Sequence, residues 1–295
     1  MRVPQRIAIT GASGLIGTAL VGYLKSEGHT VQKMVRRTPK SPDEIQWDPK
    51  SGYVDVQALQ GVNAVIHLAG VGVGDKRWTK KYKSEILNSR LLGTTAIANA
   101  VVQVKPQVFI SASAIGWYGD SGNRAVIESD LIGNDFLAAV CREWEAAADL
   151  AVGVRTVKIR TGLVLDPTGG ALGRMLPLFR FGFGGKLGSG KQWWSWITLH
   201  DVVRAIAFAL ENDISGPINL TSPNPVTNQE FTATLARTMK RPALFPAPAI
   251  ALKIALGGFA SEVLGSKRVI PNVLSEAGFE WDYPQLSAAL KALVE

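Results

Sequence analysis

Short β-branched apolar runs alternate with stretches of helical periodicity through the first half of the chain. Arg6-Ile7-Ala8-Ile9-Thr10 reads as a strand. Leu15, Ile16, Ala19, Leu20, Tyr23 and Leu24 then recur at helical spacing and Gly28 ends the stripe, so a helix is expected over 15–27. A second strand is expected at 31–35. Ala64-Val65-Ile66-His67-Leu68-Ala69 is an almost unbroken apolar run, as a strand covered on both faces requires. A long helix is expected over 84–104, a buried strand at 108–111, a helix over 135–150 and a strand at 156–160. This alternation predicts an α/β fold built on a doubly wound parallel sheet.

The rhythm changes after Arg160. Residues 162–190 are glycine-rich and read as irregular. Residues 201–210 read as a helix and Ile218-Asn219-Leu220 as a short strand. From Gln229 onward helices dominate, punctuated by Pro242, Pro246 and Pro248. We therefore expect a dinucleotide-binding unit over 1–165, to which 197–225 returns. A smaller, mostly helical, partly interleaved C-terminal lobe is expected over 166–295. The apolar stretch 247–265 is interrupted by Lys253, Gly257-Gly258 and Glu262. It falls short of the ~20 uninterrupted apolar residues of a membrane span and is expected to pack on the body as an amphipathic helix.

With 46% hydrophobic and 19% charged residues over 295 positions, the chain can bury a sizeable core, which excludes a disordered protein. The single cysteine, Cys141, excludes an internal disulfide framework and any multi-cysteine metal site. His29, His67 and His200 show no ligand spacing, so no metal is expected. Residues 1–5 are too short for a signal peptide, and a cytoplasmic location is expected. The net charge of +8 favours anionic ligands, nucleic acid or an anionic membrane without choosing among them. Lys76-Arg77-Trp78-Thr79-Lys80-Lys81-Tyr82-Lys83 mixes cations with aromatics. It reads either as a solvated helix start or as a nucleic-acid strip, and no specific nucleic-acid partner is expected.

Chemistry enters at the first turn. Gly11-Ala12-Ser13-Gly14-Leu15-Ile16-Gly17 follows the first strand directly and opens the first helix. Glycines there let the backbone turn sharply and approach a pyrophosphate, while the helix N-terminus offers free N–H groups. A binder of NAD usually carries an acid about 20 residues past these glycines, to take the ribose 2′-hydroxyl. The corresponding place here holds Arg36 and Arg37. Guanidinium groups suit a 2′-phosphate, so NADP(H) is the expected cofactor; solvated surface arginines are the alternative.

The glycine loop, His67-Leu68-Ala69-Gly70 and Ser111-Ala112-Ser113 together resemble the extended short-chain dehydrogenase/reductase superfamily. A narrower set resembles its atypical branch of epimerase-family, or cell-division-inhibitor SulA-like, proteins. It comprises Arg77-Trp78-Thr79, Glu85 through Ser89-Arg90, Ser113 to Gly119, the run from Gly188 through Trp193-Trp194-Ser195-Trp196-Ile197, the run from Asn219 to Thr227, and Arg241-Pro242. The resemblance implies a Rossmann-type fold with NADP(H) held by Gly11, Ser13, Gly14, Leu15, Ile16, Gly17, Arg36 and Arg37. It adds Leu68 and Ala69, then Glu85 and Arg90, then Leu163 where the family usually has valine.

Most of that superfamily uses a serine with Tyr-x-x-x-Lys, in which the lysine and cofactor lower the tyrosine pKa for proton transfer. Aligning Glu145 with the usual acid puts Leu137 at the tyrosine and Cys141 at the lysine, and neither can do that work. Ser113 and Tyr118 are the replacement candidates, because the loop after that strand lies at the sheet's carboxyl edge. Cys141 is expected to pack in the core. Lys191, Trp193 and Trp196 suggest a cationic, aromatic-lined pocket for a small anionic or nucleotide-linked substrate; lobe packing by the tryptophans is the other reading. Two functions stay open, an NADP(H)-dependent oxidoreductase or epimerase-like enzyme and a non-catalytic NADP(H)-binding regulator tied to a process such as cell division.

Overall fold

Six of the expected strands, together with two that the pattern does not single out at 44–48 and 53–54, assemble into one sheet in the computed structural model, which describes residues 3–294. Its strands are β1 (Arg6–Thr10), β2 (Thr30–Val35), β3 (Glu44–Asp48), β4 (Tyr53–Val54), β5 (Ala64–His67), β6 (Val108–Ala114), β7 (Arg155–Thr161) and β8 (Gly216–Leu220). They lie in the order β8-β7-β6-β5-β1-β2-β3-β4. Every neighbouring pair is parallel except β3 with β4. The chain leaves β1 toward one edge and returns at β5 toward the other, so the crevice between the carboxyl ends of β1 and β5 is the place where such sheets bind ligands.

Strand alternation distributes the core. Ile7 and Ile9 face helices α1 (Leu15–Ser26) and α5 (Leu199–Glu211), packing with Leu20, Leu24, Val202 and Ile206. Ala8, Val65 and Phe109 face the other way, against Ile97 and Val101 of α2 (Lys80–Val104) and Ala148 of α3 (Phe136–Ala148). Helix α2 begins four residues earlier than its periodicity suggests. The Thr79 side chain accepts a hydrogen bond from the Tyr82 amide and caps it there.

The stretch expected to be irregular contains a helix, α4 (Gly170–Arg180), in spite of Pro177. Its Leu172, Leu176 and Phe179 are buried in a second core with Trp196. Phe231 and Leu235 of α6 (Asn228–Thr238) join them there, as do Leu286 and Leu290 of the last helix, Leu286–Val294. Two C-terminal residues, Leu274 and Phe279, instead join the core beneath α1 and α5. In the segment 247–265, helix α7 (Ala249–Leu256) fully buries none of its residues, with Leu252 and Leu256 half-buried, and the packing on the body comes from the turn that follows, where Phe259 stacks against Trp78 and Ala260 is buried. No described helix is long and apolar enough to cross a membrane.

Candidate functional site

The glycine loop is forced by contact. Gly11 has φ of +69°, and a Cβ there would come within 2.8 Å of the Leu68 carbonyl carbon. A Cβ on Gly17 would lie 2.1 Å from the Gly11 carbonyl oxygen. The loop thus presses against both the β5 loop and the first turn of α1, and no side chain fits between them. Gly14 gives α1 no side-chain cap and no acid stands in its first turn, so the opening amides at Leu15, Ile16 and Gly17 remain free for an anion. Beside them a cleft of about 360 Å³ opens between Ser13, Gly14, Leu15 and Thr18 on one wall and Thr168 and Leu199 on the other. This cradle fits a dinucleotide pyrophosphate.

At the end of β2 the two arginines differ. The Arg37 guanidinium makes a bidentate pair with Glu44 of the adjacent β3, at 2.8 and 2.6 Å. Those hydrogen bonds hold the Glu44 carboxyl down at about 2 and raise Arg37 above its ordinary value. Arg36 is exposed and pairs with no carboxylate among the described residues. It is the guanidinium available to an incoming phosphate.

Thr10 and His67 tie β1 to the β5 loop. The Thr10 hydroxyl accepts from the amides of Leu68 (3.1 Å) and Ala69 (3.3 Å) and lies 2.7 Å from His67 Nδ1. With those acceptor positions filled, the hydroxyl donates to Nδ1 and the ring proton resides on Nε2. His67 is fully buried, edge-on to Trp47, and burial pushes it down to about 3. The unfolded chain therefore takes up a proton below about 6.5 that the folded chain refuses until about 3. Stability from this group is complete above the upper value and is lost as pH falls toward the lower one, by up to about 1.4 kcal/mol per pH unit. Urea midpoints at several acidic pH values should show that slope, and His67→Phe should flatten it. An unchanged slope in the variant would assign the acid sensitivity to other groups.

Helix α2 brings Arg90, but not Glu85, to this loop. Arg90 is buried, donates to the carbonyls of Val71 (2.9 Å) and Ile86 (3.1 Å) and stacks 4.7 Å from the Trp144 ring. Burial lowers its pKa, and its carbons lie where a Cβ on Gly70 would touch them. Glu85 is exposed on the same helix. Leu163 follows β7, donates its amide to Ser195 (2.8 Å) and pairs with Trp196 in a short parallel ladder.

Ser113 and Tyr118 belong to one buried polar network at the carboxyl ends of β6, β7 and β8. Ser113 Oγ donates to Glu145 Oε1 at 2.7 Å. Arg160, directly across from Ser113 in the sheet, closes a bidentate pair on Glu145 at 2.8 and 3.0 Å. Arg160 also donates to the Tyr118 hydroxyl at 3.0 Å and lies 4.0 Å over the Trp117 ring. Tyr118 in turn donates to Asn219 Oδ1 of β8 at 2.8 Å. Burial pushes Tyr118 up to about 12 despite the opposing charge of Arg160. For Arg160, burial acts to lower the pKa, but Glu145 and Tyr118 together hold it above its ordinary value. Against the expectation that Tyr118 faces the crevice as a general acid or base, its hydroxyl is engaged on both sides within this buried network. Ser113 is likewise occupied as a donor to a carboxylate.

On α3, Leu137 and Cys141 are buried, and burial pushes the Cys141 thiol up to about 12. Lys191, Trp193 and Trp196 do not line one pocket. Trp196 is fully buried and donates Nε1 to the Asn224 carbonyl, which corrects its assignment to a substrate surface. Trp193 is half-buried, bonded to Asn123 and covered by Arg268 at 4.4 Å, while Lys191 is exposed. One group of metal-ligating types, His200, Asp201 and Asp282, has its donor atoms within 4.8 Å among the described residues. Arg204 pairs with both carboxylates at 3.1 Å and supplies the positive charge there. Sequence reasoning missed the Arg160–Glu145 pair. Arg160, directly after Ile159 in a strand expected to be buried in the sheet, was its available signal.

Known proteins are similar to this chain over most of its length. A family model described as the NAD dependent epimerase/dehydratase family matches residues 7–220, and one described as a domain of unknown function matches 247–293. An epimerase family protein of Mycobacterium bovis is 44% identical over 288 residues, covering 96% of each chain. A chloroplastic SDR39U1 homolog of the epimerase family in Arabidopsis thaliana is 38% identical over 98% of this chain and 86% of its own. The crystal structure of the human epimerase family protein SDR39U1 with NADPH matches with a TM-score of 0.90 at 33% identity, covering 98% of each chain.

Proposed function

The chain belongs to the NAD-dependent epimerase/dehydratase family, and from that premise we propose that it is an NADP(H)-binding oxidoreductase or epimerase-like enzyme of the extended short-chain dehydrogenase/reductase type. Its substrate would be small, anionic or nucleotide-linked. The observation that carries the reading is the pairing of an uncapped, sterically tight glycine loop with an unpaired Arg36 at the end of the adjacent strand. In this reading the amides of Leu15, Ile16 and Gly17 take the pyrophosphate. Arg36 takes the 2′-phosphate, with Arg37 held beside it by Glu44. Leu68 and Ala69 line the crevice through the backbone that Thr10 fixes, and Leu163 closes its far side. Arg90 supports the β5 loop from beneath, and Glu85 stands on the outer turn of the same helix. When bound, the nicotinamide would supply hydride transfer. Ser113 and Tyr118 enter as groups that fix the floor of the site through Glu145 and Arg160, with Lys191 and Trp193 on the substrate side. The unit 1–165 with the returning 197–225 would carry the cofactor, and the remainder of 166–295 the substrate side.

Arg36→Ala should weaken NADPH binding by about ten- to a hundredfold, the worth of a charge-assisted hydrogen bond, and leave NADH binding nearly unchanged. Arg37→Ala should lose less, because that guanidinium already spends two donors on Glu44. Nucleotide-fluorescence titrations of both variants and both cofactors decide the matter. Equal affinity of the unaltered chain for NADH and NADPH would defeat the reading.

A second reading is favoured by one observation. Both candidate hydroxyls are satisfied internally, and the usual tyrosine and lysine positions hold buried Leu137 and Cys141. The chain would then be a non-catalytic NADP(H)-binding regulator, to which the link with cell division would belong. Metabolite profiling of NADPH oxidation by the purified chain separates the two, since turnover of any substrate rules the regulator out.

A further inference from the structure

Two segments of the C-terminal half, 178–190 and 237–256, carry six cations and no carboxylate: Arg180, Lys186, Arg237, Lys240, Arg241 and Lys253. All six are exposed. The same segments hold large apolar side chains in solvent: Phe181 (77% exposed), Phe183 (61%), Leu244 (75%), Phe245 (58%), Ile250 (73%) and Ile254 (69%). The segments lie side by side. The Phe245 amide donates to the Gly184 carbonyl (3.2 Å), the Ala247 amide to Lys186 (2.9 Å) and the Gly188 amide to Ala247 (2.8 Å). The rings of Phe183 and Phe245 stand 5.7 Å apart. Helix α7 follows directly on this paired segment in the chain. It reads Ala249-Ile250-Ala251-Leu252-Lys253-Ile254-Ala255-Leu256, fully buries none of its residues, and exposes Ile250 and Ile254 one turn apart with Lys253 between them.

We propose that these segments dock on the surface of an anionic lipid bilayer, with α7, Phe183 and Phe245 entering the headgroup boundary and the cations of the same segments meeting lipid phosphates. With no membrane-spanning helix among the described residues, an apolar patch of this kind marks a contact surface, and its combination with cations is that of an interfacial amphipathic element. Charge selects the occupant. A second copy of the chain would set six cations against six in a two-fold contact, which repels. Nucleic acid would meet the cations but leave the aliphatic side chains unburied. A bilayer rich in anionic lipid satisfies both.

The test is sedimentation of the full chain with vesicles of phosphatidylcholine alone or containing about 30% phosphatidylglycerol, at ~0.1 M and ~0.5 M salt. The chain should pellet with the anionic vesicles, not with the neutral ones, and less at the higher salt. Ile250→Glu with Ile254→Glu should reduce retention at least about tenfold, because each exposed isoleucine would otherwise be buried in the boundary. NADPH affinity serves as the measure of folding in that double variant and should not change. The proposal is overturned by no retention on anionic vesicles or by equal retention of the double variant. It is also overturned by duplex DNA binding that the double variant keeps, or by a concentration-dependent dimer that the double variant dissolves.

Discussion

Gly17→Ala is expected to reduce NADPH binding by about ten- to a hundredfold in a chain that still folds. The methyl group would sit 2.1 Å from the Gly11 carbonyl oxygen and 2.8 Å from the Ala12 Cα, both backbone atoms that no rotamer change can move aside. The loop must shift, and a forced backbone costs about 1–3 kcal/mol. That cost falls on binding because the same loop aims the α1 amides at the pyrophosphate. Gly22→Ala is the control. It lies on the same helix with nothing within 4 Å of its added Cβ, so it should stabilise the chain by about 0.5–1 kcal/mol and leave affinity alone. Titration of NADPH against both variants reads the difference. Affinity of Gly17→Ala within twofold of the unaltered chain would remove the loop from the binding site.

Arg160→Met should cost about 3–5 kcal/mol of stability, since it leaves Glu145 buried with its charge uncompensated. Both side chains are almost wholly buried, at 3% and 4% exposure. Tyr118 and the Glu128 carbonyl each lose a donor as well. Removing the second charge should restore much of the loss, so Arg160→Met with Glu145→Leu is expected to be more stable than Arg160→Met alone. Urea unfolding of the two single variants and the double one forms a complete cycle. Additive losses would mean that the two groups do not depend on each other.

Strands β1, β5 and β6 were legible because burial on both faces writes itself as a continuous apolar run, and β7 was legible through its β-branched Thr156, Val157 and Ile159 in spite of Lys158. The start of α2 was obscured by Lys80, Lys81 and Lys83, which break the stripe while Thr79 sets the cap. Helix α4 was hidden by Gly170, Gly173 and Pro177. Its Leu172, Leu176 and Phe179 still find the core around Trp196, so tertiary burial outweighs poor propensity. The glycine loop and the arginines could be placed from spacing alone. The Glu44 pairing could not, because it depends on β3 lying beside β2. Arg160 and Glu145 sit on different elements: the register of β6 against β7 brings Arg160 opposite Ser113, and the packing of α3 on the sheet brings Glu145 to it. The reading of Trp196 failed because spacing says nothing about which side of a short strand faces the core.

Strand β8 is made from residues that emerge long after the rest of the sheet, yet it pairs with β7 along all five of its positions. A nascent chain that has reached only residue 165 therefore presents β7 as a bare edge, with a row of N–H and C=O groups open to any other extended segment. It also lacks α5, and with it the part of the cover for Ile7 and Ile9 that α1 does not supply. A fragment cut at that point should aggregate during expression, whatever its glycine loop can bind. Cofactor and vesicle measurements alike belong to the whole chain, and a protease that nicks between β7 and β8 should release an insoluble amino-terminal piece.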